Sequence, residues 1–185
     1  MHYASNNSLT KIHVMKKFNS VFLKSGDIFE SVKNMIAPIV EMKIKEGGRV
    51  GCVVLIFDPG VLPSCRKFED VAYKAFVFGD LSENDIETYT NIALKKAAWT
   101  YAYRKASSEI INNPGTLEVG ETHWPGCEII NDQIASTSGL NWEDDVMISR
   151  VSISATLSYL VKIGKKLREK GIKFVDDETT KKLED

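Results

Sequence analysis

The sequence predicts an α+β fold in which an antiparallel sheet of about five strands is flanked by long helices. Val50 to Phe57 contains a continuous apolar run, which is typical of a strand that is buried on both faces of a sheet. Residues 126–145 have the pattern of a tight hairpin that leads directly into a helix. Antiparallel strands interleaved with a few long helices indicate a layered α+β architecture.

The first elements are a strand and a helix. Phe18 to Leu23 has a mixed apolar pattern that predicts an opening strand, and Asp27 with Glu30 forms a potential capping box. Pro38 lies inside the helix that follows, so a kink or an early end is expected there, and Gly47-Gly48 stops the helix. The apolar residues of this helix recur at helical spacing: Ile28, Val32, Met35, Ile36, Ile39 and Val40.

The middle of the chain predicts two strands and a long helix. After the strand Val50 to Phe57, a turn at residues 58–60 and an irregular stretch over residues 61–70 lead to an alternating strand from Val71 to Phe78. Ser82 and Asp85 form a second potential capping box, and the helix that they begin extends to about Ile110.

The last third contains the hairpin and the final helix. Thr116 to Val119 predicts a short strand before the hairpin, whose turn is Asn131-Asp132, two residues that tolerate positive φ. Asn141 with Asp144 predicts a capping box for a helix from Trp142 to about Lys170.

The domain organisation is simple. Residues 18–172 form a single predicted domain between an N-terminal tail, residues 1–17, and a charged C-terminal tail, residues 173–185, that is predicted to be disordered. The first 24 residues are basic and contain no acidic residue. A frayed tail is the favoured interpretation, because targeting peptides of this type favour Arg, but a targeting segment stays open as the alternative.

Composition narrows the class of protein. A formal net charge of -1 gives no general attraction to nucleic acid, and no apolar run approaches the length of a membrane span, so we expect a soluble protein that neither binds nucleic acid nor inserts into membranes. Three cysteines without CxxC spacing indicate free thiols in a reducing compartment, which predicts a cytoplasmic location.

Several polar residues are candidates for ligand binding, and each also has a structural interpretation that we favour. His123, beside Trp124 and Gly126, could be an axial haem ligand or a proton carrier, or a loop histidine bonded to a backbone carbonyl. Lys96 and Arg104, with Lys95 and Lys105, could hold an anion such as a haem propionate, or form a solvated helix face.

Acidic and nucleophilic residues do not form a recognisable catalytic motif. Glu143, Asp144 and Asp145 could hold a metal or act in acid–base chemistry, but their place in a first helical turn is explained by capping and the helix dipole. Cys127 is expected to be a small buried apolar residue, and Ser138 lacks a nucleophile elbow. No catalytic or metal-binding residue is predicted, which favours a non-enzymatic protein over an enzyme.

The order of these elements resembles the haem-binding HbpS/GlcG-like family over roughly residues 18–168. The resemblance depends on the His-x-x-Gly loop at His123, Pro125-Gly126-Cys127 before the hairpin, Ser138-Gly139-Leu140 after it, and Asp145 in the acidic helix start. It is closest to the fungal and bacterial branch with a profilin-like α/β/α sandwich. The chain departs from that pattern in its incomplete Gly-Gly pair and in Val146, where the close branch tends to carry His.

The resemblance implies a function and a set of site residues. It implies a soluble homo-oligomer that acts as a scaffold or a carrier of a small anionic or tetrapyrrole ligand. Haem binding is an alternative, with haem as a potential cofactor, and a second alternative is an accessory role in delivery of tail-anchored membrane proteins. The ligand-binding residues expected are His123, Trp124, Gly126, Ser138, Gly139, Asp145, Lys96 and Arg104.

Overall fold

Four antiparallel strands and three long helices make up the described part of the chain. A computed structural model of the protein describes residues 27–58, 67–111, 115, 117 and 121–173. The strands are β1 (Gly51–Phe57), β2 (Tyr73–Gly79), β3 (Cys127–Ile130) and β4 (Gln133–Ser138), and the long helices are α1 (Asp27–Glu46), α2 (Glu83–Tyr103) and α3 (Trp142–Glu169). The predicted antiparallel sheet flanked by long helices is therefore confirmed, with four strands described rather than about five.

The sheet is built around β1. Its strand order is β2-β1-β4-β3, and Val54 of β1 pairs with Phe76 of β2 on one side and with Thr137 of β4 on the other. All seven residues of β1 are buried, as the continuous apolar run predicted. A strand with neighbours on both edges and helices over both faces has no solvent-facing side, which explains why its sequence is uniformly apolar.

Two hydrophobic cores lie on opposite faces of the sheet and make it an α/β/α sandwich. Alternate residues of β1 divide between the cores because successive side chains of a strand point to opposite faces. One core joins β1 and β2 to α1 and α3 and includes Ile28, Val32, Ile36, Cys52, Val54, Phe76, Ile148 and Ile153. The other core joins β1 and β2 to α2 and includes Val53, Leu55, Phe57, Tyr73, Ala75, Ala93, Ala97 and Tyr101.

The hairpin of β3 and β4 has the predicted turn. Ile130 pairs with Gln133, so Asn131 and Asp132 form a two-residue loop, and their φ values are 49° and 64°. Positive φ at both central residues is the requirement of a type I′ turn, whose twist matches that of the flanking strands. Gly139 then breaks the chain direction with φ of 123° before α3 begins.

Two helix boundaries differ from the sequence-based expectations. The helix α2 ends at Tyr103 rather than near Ile110, because Arg104 adopts the left-handed conformation with φ of 56°, and a separate 3₁₀ turn follows at Ser107–Ile111. The helix α1 does not end early at Pro38 but continues to Glu46. Its burial against α3 and the sheet compensates for the backbone hydrogen bond that proline cannot make.

One predicted capping box forms and one does not. Ser82 Oγ accepts from Asp85 N at 3.1 Å, and Ser82 N donates to Asp85 Oδ2 at 3.3 Å. Within the described part of the chain, Asn141 makes no side-chain cap, because its Oδ1 accepts from Arg49 Nη2 at 2.7 Å instead. Asp144 pairs with Lys43 of α1 at 3.3 Å. Tertiary contacts have therefore taken over both residues of the predicted Asn141–Asp144 box.

Several expectations lie outside the described residues. These are the opening strand Phe18–Leu23, the strand Thr116–Val119, the turn at 58–60 beyond Asp58, Cys65, the side chain of Asp27 and both predicted tails. Within the described part, Cys52 and Cys127 are buried free thiols.

The helix α3 is the one helix of the described residues that is long and apolar enough to cross a membrane. The core helix of a soluble protein meets the same criterion. In its first half, Ile148 and Ile153 pack in the core with α1 and the sheet.

The starts of α2 and α3 should respond differently to alanine substitution of their N-cap residues. Ser82→Ala removes the hydroxyl that accepts from Asp85 N and donates to Asp85 Oδ2, and it should lower the free energy of unfolding by about 1 kcal/mol. Asn141→Ala at the start of α3 removes no cap, so a loss of only a few tenths of a kcal/mol is expected from its exposed bond to Arg49. Urea unfolding of both variants measures this difference, and an equal or larger loss for Asn141→Ala would contradict it.

Candidate functional site

A buried ion pair joins α2 to α3 at the end of β4. Lys96 Nζ lies 3.0 Å from Asp145 Oδ2 and donates to the carbonyl oxygen of Thr137 at 2.7 Å. The exposed fractions of the two side chains are 1% and 5%. Lysine and aspartate are almost never fully buried unless they are paired, because each charge loses its hydration. The pair therefore marks a place where the fold holds charge away from water.

An opening in the strand ladder makes room for the lysine. Thr137 N donates to Gly126 O at 2.7 Å, which continues the pairing of β3 with β4 by one residue. The reciprocal bond is missing, because Gly126 N donates to Ser107 Oγ at 3.0 Å. The carbonyl of Thr137 is left to accept from Lys96. The lysine ammonium thus takes the position that a backbone N–H would occupy in a continued ladder.

Gly126 is required by this close approach. Its φ is 131°, and a Cβ built on it would lie 2.7 Å from Lys96 Nζ and 2.8 Å from the Cβ of Asp145. Only glycine adopts this backbone conformation readily and leaves the space that the ion pair occupies. The Lys96–Asp145 pair therefore requires glycine at position 126.

Hydroxyl groups hold the backbone around the pair. Ser149 Oγ donates to Gly126 O at 2.7 Å, and Thr137 Oγ1 lies 2.8 Å from Ser149 Oγ. Ser107 Oγ also accepts from Cys127 N at 2.8 Å. These buried polar groups have partners, as buried polar groups must if they are not to destabilise the fold. The backbone around Lys96 is therefore held in place by side-chain hydrogen bonds.

Asp145 is positioned by the first turn of α3. Its Oδ1 accepts from Leu140 N at 3.1 Å, and its backbone N–H donates to Asn141 O at 2.9 Å. One carboxylate oxygen therefore faces the turn before the helix, and the other faces Lys96. The acidic first turn, which capping and the helix dipole were expected to explain, has a further role, because Asp145 is the buried counter-ion of Lys96 in α2.

A cavity of about 320 Å³ lies over this ion pair. Trp124 and Trp142, both part of its wall, are 55% and 40% exposed, so indole rings border the opening to solvent. The described lining combines apolar, aromatic and charged side chains: Arg49, Tyr89, Ile92, Lys96, Trp124, Ser138, Gly139, Leu140, Asn141, Trp142, Glu143 and Asp145. The volume is within the range of roughly 300–1,000 Å³ that ligand pockets occupy.

Burial shifts the pKa of three groups near the site. Desolvation raises the pKa of Asp145 to about 6, and the charge of Lys96 and the N–H of Leu140, which stabilise the carboxylate, offset only part of that effect. Desolvation also raises the pKa of Cys127 to about 12 and raises the pKa of Cys52. Both thiols are therefore protonated and poorly nucleophilic at neutral pH, in agreement with the structural interpretation of Cys127.

Five of the eight predicted ligand-binding residues line the cavity. They are Lys96, Trp124, Ser138, Gly139 and Asp145. Gly126 lies against the ion pair, and the exposed ring of His123 stacks on Trp124 with a centroid distance of 4.9 Å but does not line the cavity. Arg104 lies elsewhere and pairs with Asp132 in the hairpin turn.

The favoured interpretation of Lys96 as part of a solvated helix face is wrong. Lys95 is exposed but Lys96 is buried, because α2 turns Lys96 toward the end of β4 beside Ala93 and Ala97. A lysine between buried alanines at helical spacing is the one signal in the sequence that indicates this orientation. Sequence reasoning also missed Arg49, which meets Asn141 only after the chain has folded.

Metal binding has no support in the described part of the chain. Those residues contain no group of three or more His, Cys, Asp or Glu side chains that could hold a metal ion.

The ion pair generates a prediction about stability. Lys96→Met leaves the Asp145 carboxylate buried without its cation and should lower the free energy of unfolding by about 3–5 kcal/mol. The double variant Lys96→Met/Asp145→Asn removes both charges and keeps an acceptor for Leu140 N, so it should recover about 1–3 kcal/mol of that loss. Urea unfolding gives each value. The exposed neighbour Lys95 provides the control, since Lys95→Met should change the free energy of unfolding by less than about 0.5 kcal/mol. Additive losses, in which the double variant is no more stable than Lys96→Met, would argue against the pair.

The raised pKa of Asp145 generates a prediction about pH. The folded-state pKa of about 6 exceeds the ordinary value of 3.8, so the folded chain binds this proton more tightly than the unfolded chain. The stabilisation is complete below pH 3.8 and is lost as pH rises through about 6, and it corresponds to roughly 3 kcal/mol.

Asn at position 145 cannot titrate, which isolates this effect from the other carboxyl groups. Relative to Asp145→Asn, the wild-type chain should lose about 2–3 kcal/mol of unfolding free energy between pH 4 and pH 7 in urea titrations. If the unfolding free energy of the wild-type chain relative to Asp145→Asn stays constant, or grows with pH, burial does not dominate the pKa of Asp145.

Comparison with solved structures gives a distant structural likeness. No family model matches the chain, and no curated protein matches it. The chain is similar to the crystal structure of Klebsiella pneumoniae protein ORFY, which is assigned to the family model DUF336. The two chains are 15% identical with a TM-score of 0.43, and the match covers 84% of this chain and 97% of that chain. DUF336 is a GlcG-like family. A likeness at this level carries no argument about ligand or activity.

Proposed function

We propose that the protein binds a small organic ligand in the cavity over the Lys96–Asp145 pair and acts as a carrier or scaffold for it. The observation that carries this proposal is a buried, hydrogen-bonded charge pair that faces a cavity of ligand size. Pockets with a few convergent polar groups and a carboxyl of shifted pKa are the usual places where proteins bind small molecules.

The walls of the cavity support the same function. Trp124 and Trp142 expose a large part of their rings to solvent while lining the cavity. Exposed indole rings offer flat apolar surface to a ligand, and their N–H groups keep a polar contact available. Ile92 and Leu140 add aliphatic surface deeper in the wall.

The chemistry of the lining favours a carrier over an enzyme. Among the described residues that line the cavity there is no histidine or cysteine. Both carboxylate oxygens of Asp145 already accept hydrogen bonds, and Lys96 donates to one of them and to the carbonyl of Thr137. These groups are arranged to hold a ligand rather than to attack it.

Haem remains a second candidate ligand, and His123 is the residue that decides it. An axial ligand must reach the iron, but His123 lies outside the cavity wall and stacks on Trp124. Haem bound through His123 would therefore lie outside the cavity wall and not over the ion pair. The smaller cavity ligand is favoured for this reason.

Homo-oligomer formation is part of the same proposal. Met35 and Met42 of α1 and Val161 of α3 are large apolar side chains with substantial exposure, and exposed apolar surface favours association. Sedimentation at micromolar concentration should show a species larger than the 20.7 kDa chain. Membership of the HbpS/GlcG-like family and an accessory role in tail-anchored protein delivery are proposals that rest on the sequence resemblance alone.

Tryptophan fluorescence tests ligand binding directly. The chain has three tryptophans, so in a Trp99→Phe background the emission comes only from the two that line the cavity. Titration with benzoate, benzamide, benzylamine and haemin should produce saturable quenching with at least one of the first three, with dissociation constants on the order of 0.1–1 mM for such small ligands.

Matched variants locate the binding. Trp142→Leu should weaken the binding of the quenching compound several-fold, because it removes part of the cavity wall. Tyr103→Leu removes an aromatic ring of similar exposure (41%) that does not line the cavity, and it should leave binding unchanged. No quenching by any of the three small compounds would refute the cavity as a ligand site. A Soret shift with haemin that His123→Ala abolishes would favour the haem alternative.

A further inference from the structure

We propose that the ligand of this cavity is a planar aromatic carboxylate, which Lys96, Arg49 and the N-terminus of α3 bind together, and that its binding transfers a proton from solvent to Asp145. The inference rests on the proposed function, since it specifies the chemical class of ligand for the same cavity. Three independent features favour an anion there, and they come from three different parts of the chain.

The first feature is the ammonium of Lys96. An ammonium has three N–H donors, and the described residues provide two acceptors, the carbonyl of Thr137 and Oδ2 of Asp145. The side chain is buried and also lines the cavity. The remaining donor is therefore available to an acceptor that enters the cavity, and in this dry environment a charged acceptor is favoured most.

The second feature is the guanidinium of Arg49. Its Nη2 donates to the neutral amide oxygen of Asn141 at 2.7 Å, and among the described residues it forms no ion pair with a carboxylate. Arg49 is exposed and lines the cavity. A guanidinium carries five donors in a planar fork that matches the two oxygens of a carboxylate.

The third feature is the start of α3. The first N–H groups of a helix have no partner within the helix, and in the described structure the Asn141 side chain bonds to Arg49 rather than capping them. Asn141, Trp142 and Glu143 all line the cavity, so this end of a 28-residue helix faces it. The positive end of the helix dipole adds to the attraction for an anion.

The remaining charges at the cavity do not favour a cation. Glu143 is exposed, so its charge is screened by water. Both oxygens of Asp145 already have donors, from Leu140 N and Lys96. A cation would therefore meet the charges of Lys96 and Arg49 without a free buried carboxylate to compensate them.

The size and walls of the cavity indicate a planar ring. An engineered cavity of roughly 150 Å³ binds benzene, so the 320 Å³ cavity accommodates one or two rings with a substituent. Trp124, Trp142 and Tyr89 provide aromatic surface for such a ring. A ring packed against them places a carboxylate substituent toward the buried floor formed by Lys96.

Proton uptake follows from the arrangement of charges around Asp145. Facing its carboxyl are Lys96 from α2, Arg49 before β1 and the Cys52 thiol of β1, with Glu143 and Asp144 beside it in α3. A ligand carboxylate at Lys96 would share one buried cation with Asp145. Two carboxylates that share a site cannot both ionise readily, so the pKa of Asp145, which burial has already raised, rises further.

Calorimetry with the full chain tests the ligand class. At pH 7, benzoate should bind at least about tenfold more tightly than benzamide, which has the same ring without the charge, and benzylamine should bind more weakly than both. Arg49→Gln should weaken benzoate binding about fivefold or more and leave benzamide nearly unchanged. Arg168→Gln, an exposed substitution in the last turns of α3, is the matched control and should leave benzoate binding at the wild-type level.

Buffer comparison tests the proton. Benzoate titrations at pH 7 in Bis-Tris and in Tris, two cationic buffers that do not compete for an anion site, should give heats whose difference corresponds to uptake of about 0.5–1 proton per ligand. Asp145→Asn should bind benzoate with no difference between the buffers, because its amide cannot titrate. Equal heats for the wild-type chain in both buffers would overturn the proton transfer even if the variant does not fold.

The outcomes separate the two proposals. Benzamide or benzylamine binding as tightly as benzoate, with loss in Trp142→Leu, overturns the carboxylate assignment while supporting the cavity as a ligand site. An absence of heat and quenching with all three compounds overturns both. Strong benzoate binding that Arg49→Gln does not weaken places the anion elsewhere and overturns the assignment.

Discussion

The buried bond between Lys96 and Asp145 is the interaction around which this end of the fold is arranged. It requires glycine at position 126, an interrupted pairing between β3 and β4, and a hydroxyl at Ser107 to take the N–H that the interruption releases. Each requirement follows from a single constraint: two opposite charges must be removed from water together and every remaining polar atom around them must find a partner.

The same constraint produces the cavity. Because the lysine enters from α2 and the aspartate from α3, the pair ties together helices on opposite faces of the sheet at one end of β4. The start of α3 is thereby held beside Arg49 and Trp124, and the space between them lies over the charged floor. A buried ion pair adds little to the stability of a fold. Here it provides an ordered polar surface at the floor of the cavity.

Ligand binding and protonation are linked in this arrangement. A carboxyl whose pKa lies near 6 and that is bonded to the Lys96 ammonium responds to any further charge placed beside it. An anionic ligand and a proton would therefore bind with positive cooperativity, without any movement of the backbone. The hydroxyl groups of Thr137 and Ser149 already bond to each other and to Gly126, so the change that a bound anion produces would be electrostatic.

The amino-acid sequence by itself determined the α+β class, the buried strand β1, the alternation of β2, the Asn131-Asp132 turn and the Ser82 capping box. These features depend on local periodicity and turn chemistry, which neighbouring residues specify. Tertiary structure alone decided that Lys96 is buried, that Asn141 binds Arg49 instead of capping α3, and that Arg104 ends α2. Those outcomes depend on partners 28 to 92 residues away, and a local pattern carries no information about such partners.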